Sequence, residues 1–439
     1  MKKLVKPIAM IGAAALVAAG VSACGQNTPT DDDQSSGAGA TEIVLQTNWT
    51  EGGAETIGLH AVLDKFTEET GITINILESG DDLNQVYETA LLAGEEADVV
   101  LFGLLEKQLD WAKNGAVVPV NDYLDDWGFK DRIPEDAIRD WTDDEGNLRA
   151  FPYTGFTWPW WYNMDMLNQV GWDEPPTTDD EMIELTDALR AAGLGTVSIG
   201  GSDWSGQKIF LQLLETYMSP EETIDVYENG GLCDNDKAMQ GIEQFIKLRD
   251  AGVFMDGVEG MTADDGQAAY LTGQAAIAPM GSWVYEATKT DAPDLLETTL
   301  LGGLPGPEGA YEPKPIAYRG STSSGWWISP NGEKKIDAVK QLIQYMYQED
   351  SLTTEMKEGG SVFAVEGGDT SVLTNPLTLQ SLTEFPERVS FPVMPDLYIP
   401  ADVSNPMYRA TSLAFTQGND AQAICQAMDD TYTNAATGA

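Results

Sequence analysis

The chain has 439 residues and carries 71 acidic side chains against 24 basic ones, a formal net charge of −47. That balance excludes capture of nucleic acid or of an anionic ligand by charge, and leaves neutral or cationic ligands. With a single histidine, His60, the chain is poorly equipped for a Ser-His-Asp hydrolase or a histidine-rich metal site, so neither metal nor cofactor is expected.

The chain opens MKKLVKPIAMIGAAALVAAGVSAC. Lys2, Lys3 and Lys6 precede an apolar run over 8–21, which falls short of the roughly 20 residues a spanning helix needs. Small Ser22 and Ala23 then lead to Cys24, an order that resembles the lipobox of bacterial lipoproteins. The resemblance implies a signal peptide over 1–23 and lipid attachment at Cys24. The polar, acidic stretch over 24–41 reads as a flexible tether, too poor in large apolar residues to start a core. The expected location is the extracellular face of the cytoplasmic membrane, held there by the lipid. Cys233 and Cys425 are the other two cysteines. Two thiols outside the cytoplasm can pair, but spacing alone leaves a bridge and two free thiols equally open.

About 400 residues beyond the tether exceed what one hydrophobic core usually serves, so two lobes are expected. EIVLQTN (42–48) reads as a strand, and Leu59, Val62, Leu63 and Phe66 place a helix over 54–70 that Gly71 ends. ITINIL (72–77) is a second strand, a helix follows around 82–93, and the continuous apolar run ADVVLFG (97–103) suits a buried parallel strand. A helix over 105–114 completes this β-α-β-α-β region, which implies a parallel sheet. DDEGNLRAFPY (143–153) reads as a hairpin turning at Gly146-Asn147, and FTWPWWYN (156–163) follows it. Helices are then expected over 164–170, over 178–192 with Thr178 or Asp179 as cap, and over 206–217, 235–251 and 264–272. Further strands are TVSIGG (196–201), AAIAPMG (275–281) and SGWWISP (324–330), and a last striped helix covers 333–348.

Four stretches, in this order and spacing, resemble a known family: ADVVLFG with the following LDWAKNGAVVPVNDYL, LRAFPYTGFTWPWWYNMDML with GWDEPPTTDDEM, AAYLTGQAAIAPMGSW, and GWWISPNGEKKIDAVKQLIQYM. The family is the extracellular solute-binding proteins of ABC importers, in the carbohydrate-binding group that includes maltose-binding protein. The chain departs from the pattern at Tyr270, where the family usually has Phe, and at Thr178-Asp179, where it usually has Thr-Trp. Leu105 and Glu106 stand where the maltose-binding example has a charged pair, so maltose specificity does not carry over. The resemblance implies an α/β fold of two lobes, each a mainly parallel sheet flanked by helices, with the ligand in the cleft between them. It places chain crossings near 155, 302 and 329. Residues 42–155 and 303–328 would then form the N-terminal lobe, and 156–302 with 329–439 the C-terminal lobe.

A sugar ring has apolar C–H faces and an equator of hydroxyls, so its site needs aromatic rings from several segments together with carboxylates, amides or guanidinium groups. In the 156–163 run, alternation gives one face to Phe156, Trp158 and Trp160, with Trp161 opposite. The alternative is that all three indoles are core. Asp203 and Trp204 follow a strand at a loop, where ligands of α/β sheets gather; a merely capped loop is the plainer reading. Trp283 in GSW matches the family's stacking tryptophan. Trp49 and Glu51 follow the first strand. Trp326 and Trp327 point to opposite faces, and Trp327 is the one taken for the cleft. Phe102, Glu106 and Arg319 complete the candidates, Arg319 having a surface ion pair as its alternative. Trp111, Trp127, Trp141 and Trp172 read as structural.

The function implied is capture of an oligosaccharide for an ABC importer by a binding protein, not an enzyme, that is monomeric and does not touch nucleic acid. Two alternatives stay open. One is a surface glycoside hydrolase using a carboxylate pair, although abundant acids make any such pair uninformative. The other is a binder of a cationic ligand, a polyamine or peptide, through acids and aromatic rings.

Overall fold

The computed structural model describes residues 41–437 apart from 308 and 313. The expected signal peptide, Cys24 and the tether up to residue 40 lie outside the described residues.

Strand β1 (Glu42–Thr47) pairs in parallel with β2 (Thr73–Glu78) on one side and β3 (Val99–Phe102) on the other. The helix Ala54–Thr70 joins β1 to β2 and buries Leu59, Val62, Leu63 and Phe66 against them. Gly71, at φ 73°, ends it in the left-handed conformation that glycine adopts without penalty. β4 (Phe151–Trp158) and β8 (Tyr318–Ile328) complete this sheet, in the order β2-β1-β3-β8-β4, with β8 antiparallel to both β3 and β4. A second sheet holds β5 (Trp160–Asn163) between β6 (Ile277–Pro279) and β7 (Thr299–Gly302), both antiparallel to it. Val197 extends it by isolated parallel bridges to Ile277 and Phe254. Helices cover both sheets, which gives the expected two-lobe α/β architecture.

Among the full strands, the expectation of mainly parallel sheets holds only at the β2-β1-β3 edge, with the Val197 bridges as the second sheet's parallel pairing. β4 and β8 belong to segments that pass between the lobes, so they enter the first sheet against its direction. Two further local expectations are corrected. The stretch 105–114 is not a helix: a 3-10 turn Glu106–Gln108 is followed by turns. Leu105 N donates to the Gln108 side chain at 3.2 Å and Arg149 Nε takes the Leu109 carbonyl at 2.9 Å, so local side chains replace the helical ladder. TVSIGG bridges only through Val197. The 143–153 turn forms, held by the Asp143 carboxylate, which accepts from the backbone of Glu145 and Asn147.

The lobe boundaries also differ from expectation. Ile328, Val339, Leu342, Ile343, Met346 and Leu352 are fully buried in the core of the first sheet, so residues 329–352 do not belong to the C-terminal lobe. Conversely, Leu304, Ile316 and Tyr318 are still part of the second core. The returning chain therefore changes lobe at the start of β8, not at 303. It changes again between Val365 of the first core and Leu377 of a third cluster around Trp161, not at 329. An apolar helical stripe shows that a helix is buried but not against which sheet.

Cys233 and Cys425 form a disulfide, with their Cα atoms 5.1 Å apart across 192 residues of sequence. Beside it the Asp429 carboxylate accepts from the backbone of Leu232 at 2.8 Å and Cys233 at 3.0 Å, fixing the helix Ala421–Thr437 to the second core. Closing so long a loop restricts the unfolded chain, an effect worth about 2–5 kcal/mol. Replacing both cysteines by serine is expected to lower stability by that amount, measured by urea unfolding of the variant beside the oxidised protein.

Two carboxyls are buried with tyrosines. Glu355 accepts from the Tyr153 hydroxyl at 2.6 Å, and Glu215 accepts from the Tyr318 hydroxyl at 2.7 Å and from Tyr227. Burial pushes each up to about 8 from an ordinary 4.5. The folded protein therefore keeps protons that the unfolded chain releases between those values. Each group's contribution is complete below pH 4.5 and is lost as pH rises through 8. Relative to Glu355→Gln, the stability of the natural protein is expected to fall by up to about 1.4 kcal/mol per pH unit across that window. Urea unfolding of both proteins at a series of pH values checks this.

Candidate functional site

The chain passes from one sheet to the other within FTWPWWYN. Trp158 is the last residue of β4, and Trp160 is the first of β5. Pro159 between them has no N–H to continue a ladder, while its carbonyl accepts from Met280 N at 3.1 Å. A cavity of about 1160 Å³ opens beside this crossing. Its wall draws Trp49 and Phe102 from the first lobe, Trp204 and Trp283 from the second, and Phe156 and Trp158 from the crossing strand itself.

The aromatic rings form a connected path. Tyr318 and Trp158 lie 6.1 Å apart at an interplanar angle of 21°, Trp158 and Trp204 are 6.0 Å apart, Trp204 and Trp283 6.2 Å, and Trp283 and Phe156 6.3 Å. Segments from four distant parts of the sequence thus supply one surface. Each ring has a local support. Trp204 opens the helix Trp204–Glu215, whose cap Asp203 accepts from Ser205 N at 2.9 Å and from Ala263 N at 2.6 Å. Asp203 lines the cavity, yet its carboxylate is engaged in holding these two helix starts. Trp283 lies flat on Gly281, where a Cβ would come within 2.2 Å of the indole. Phe156 packs over Gly320, its partner on β8, where a Cβ would meet the ring at 2.8 Å. Trp283 keeps 42% of its surface exposed, whereas Trp158 keeps 2%.

Of the expected residues, Trp49, Phe102, Phe156, Trp158, Asp203, Trp204 and Trp283 are brought to this wall. Four are not. Trp160 is fully buried in the second core, with its indole N–H donating to Gln212 at 3.2 Å. Alternation does not carry across Pro159, because the chain changes sheets there. Trp327 is fully buried beside Trp111 and Trp141 and donates to the Phe102 carbonyl at 2.9 Å; its neighbour Trp326 is equally buried. Arg319 stacks over the Phe391 ring at 4.2 Å. Glu51 is exposed in the Trp49 loop, its N–H donating to Glu78 at 2.6 Å, and does not reach the wall. Glu106 begins the 3-10 turn noted above, and its side chain lies outside the described residues.

Lys208, Asp396 and Tyr318 also line the cavity and were not among the candidates. A signal existed for the first: Lys208, Gln212 and Glu215 fall at i, i+4 and i+7, a polar stripe on one face of the helix. Asp396 carries no such signal. The wall's charges are mostly acidic. Lys208 pairs with Asp396, Lys289 with Glu286 and Lys357, beside the wall, with Glu358, leaving Glu55, Asp264 and Asp291 in excess. Burial pushes the Glu55 carboxyl up to about 7. Among the described residues no group of three His, Cys, Asp or Glu side chains is placed to hold a metal ion. The chemistry on offer is ring faces and hydrogen bonds for a neutral or cationic ligand.

Comparison with known proteins agrees with this arrangement. A solved structure described as a probable secreted solute-binding lipoprotein from Streptomyces coelicolor is 37% identical, covering 90% of this chain and 99% of its own, with a TM-score of 0.78. A chitin oligosaccharide binding protein is 22% identical over 91% of this chain and 100% of its own, with a TM-score of 0.77, a likeness of fold. A probable sugar-binding periplasmic protein of Rhizobium meliloti (strain 1021) is 26% identical over 56% of this chain, which spans 59% of that relative's length. Residues 52–352 match the family model of the bacterial extracellular solute-binding proteins. The chain belongs to that family.

Proposed function

We propose that this protein captures a neutral oligosaccharide outside the cell, held to the membrane by a lipid on Cys24, and delivers it to an ABC importer. The observation that carries the reading is the path of rings Tyr318–Trp158–Trp204–Trp283–Phe156 along one cavity wall. Ring faces suit the C–H faces of successive pyranoses, and the surrounding acids and amides suit their hydroxyls. Relatives described as sugar-binding, chitin oligosaccharide binding and raffinose-complexed support the ligand class. The excess of wall carboxylates favours, as a second reading, a ligand that also carries a cation.

Isothermal titration against neutral oligosaccharides, at low and high salt, separates the two: binding to a neutral ligand persists in salt, and binding to a cation weakens. Trp204→Ala and Trp283→Ala are each expected to weaken the best ligand about tenfold or more, or about 1.4 kcal/mol. Trp160→Phe is expected to leave affinity within about twofold, since the ring stays in the core. Unchanged affinity in both cavity variants would sink the assignment, and release of a cleaved product would favour a hydrolase.

A further inference from the structure

Lys208 and Asp396 are an ion pair whose side chains are each only 5% exposed, yet both lie on the cavity wall. They come from the helix Trp204–Glu215 and from the 3-10 turn Pro395–Leu397, 188 residues apart in sequence. Removing two charges from water is costly, and an apolar pair of the same volume would usually fold as well or better. An ammonium has three donors and a carboxylate about four acceptor positions, so a single bond between them leaves both able to meet a ligand.

Their surroundings define one end of the cavity. The charge of Asp396 bears on Tyr318 and that of Lys208 on Glu215, so the pair sits against the Tyr318–Glu215 hydrogen bond. Tyr318 and Trp158, the stacked rings at this end, are 1% and 2% exposed, while Trp283 further along the path is 42% exposed. The ring path therefore rises from a closed end, floored by an ion pair, to an open rim.

Resting on the carbohydrate reading above, we propose that Lys208 and Asp396 form a terminal subsite for one sugar ring. Lys208 donates to one oxygen of a vicinal diol and Asp396 accepts from the neighbouring hydroxyl, against the edges of Trp158 and Tyr318 that reach the cavity wall. Capture is then end-on. The terminal sugar occupies the closed end and the rest of the chain climbs past Trp204 and Trp283 toward solvent.

The test uses tryptophan fluorescence titration of the mature protein with maltotetraose, cellotetraose and chitotetraose. The ligand that binds best is then offered as two blocked forms, a 2-aminobenzamide conjugate at the reducing end and a 4,6-O-benzylidene derivative at the other. Blocking one end is expected to abolish binding and blocking the other to leave it within about threefold. Lys208→Met and Asp396→Asn are each expected to lose about tenfold or more. The double variant K208M/D396L, which removes both charges and leaves neither unpaired, is expected to fold with a melting temperature close to the natural protein's and to lose binding as well. Affinity within twofold of the natural protein in the double variant, or binding of both blocked forms, overturns the proposal. Binding by the natural protein itself is the separate control on the carbohydrate reading.

Discussion

The constraint on which the site depends is that one short stretch of chain serves two sheets. Phe156 and Trp158 pair with Gly320 and Tyr318 in the first sheet, and Trp160 to Asn163 pair with β6 and β7 in the second. Pro159 stands between them and contributes no donor to either ladder. A strand ending at the cleft must turn its last side chains either into a core or into the gap. Here Trp158 and Trp160 both pack in the second core, Trp158 at its edge where it reaches the cavity wall, while Trp161 anchors a separate cluster. The three tryptophans of WPWW thus have different fates because the backbone changes partner between them.

Much of the fold was legible because its signals are local. The helix Ala54–Thr70 has its expected bounds, since a four-residue apolar stripe and a terminal glycine define it completely. Cavity residues at strand ends, such as Trp49 and Phe102, or at a helix start, such as Trp204, could be found from loop position and residue type. The failures share a cause. Trp327 was placed by alternation along β8, but alternation says only that two faces differ, not which is solvent, and here β3 and β4 flank the strand while helices cover both faces. The helix containing Val339 and Met346 was assigned to the wrong lobe because its stripe carries no address. Asp396 was invisible because its partner, Lys208, lies 188 residues away.

The rings of the cavity are held from behind by polar groups, not by apolar packing alone. Gln212 accepts from the Trp160 indole, adjacent in the chain to the crossing, and Glu215 accepts from the hydroxyl of Tyr318, whose ring stacks on Trp158. Both acceptors lie on the helix that Trp204 opens, so one helix carries a cavity ring at its start and, from its inner face, holds Tyr318 of the cavity and Trp160 of the core behind it. Such a brace fixes ring orientation before a ligand arrives, which reduces the ordering cost of binding. It also explains why an amide and a neutral carboxyl persist in an apolar core, where burial holds Glu215 well above the usual carboxylate range. At Gly281 and Gly320 the same end is met by omission: bare backbone lets Trp283 and Phe156 lie flat where any side chain would tilt them out of the path. Braces behind the buried rings and bare backbone beneath the outer ones leave the wall little local freedom.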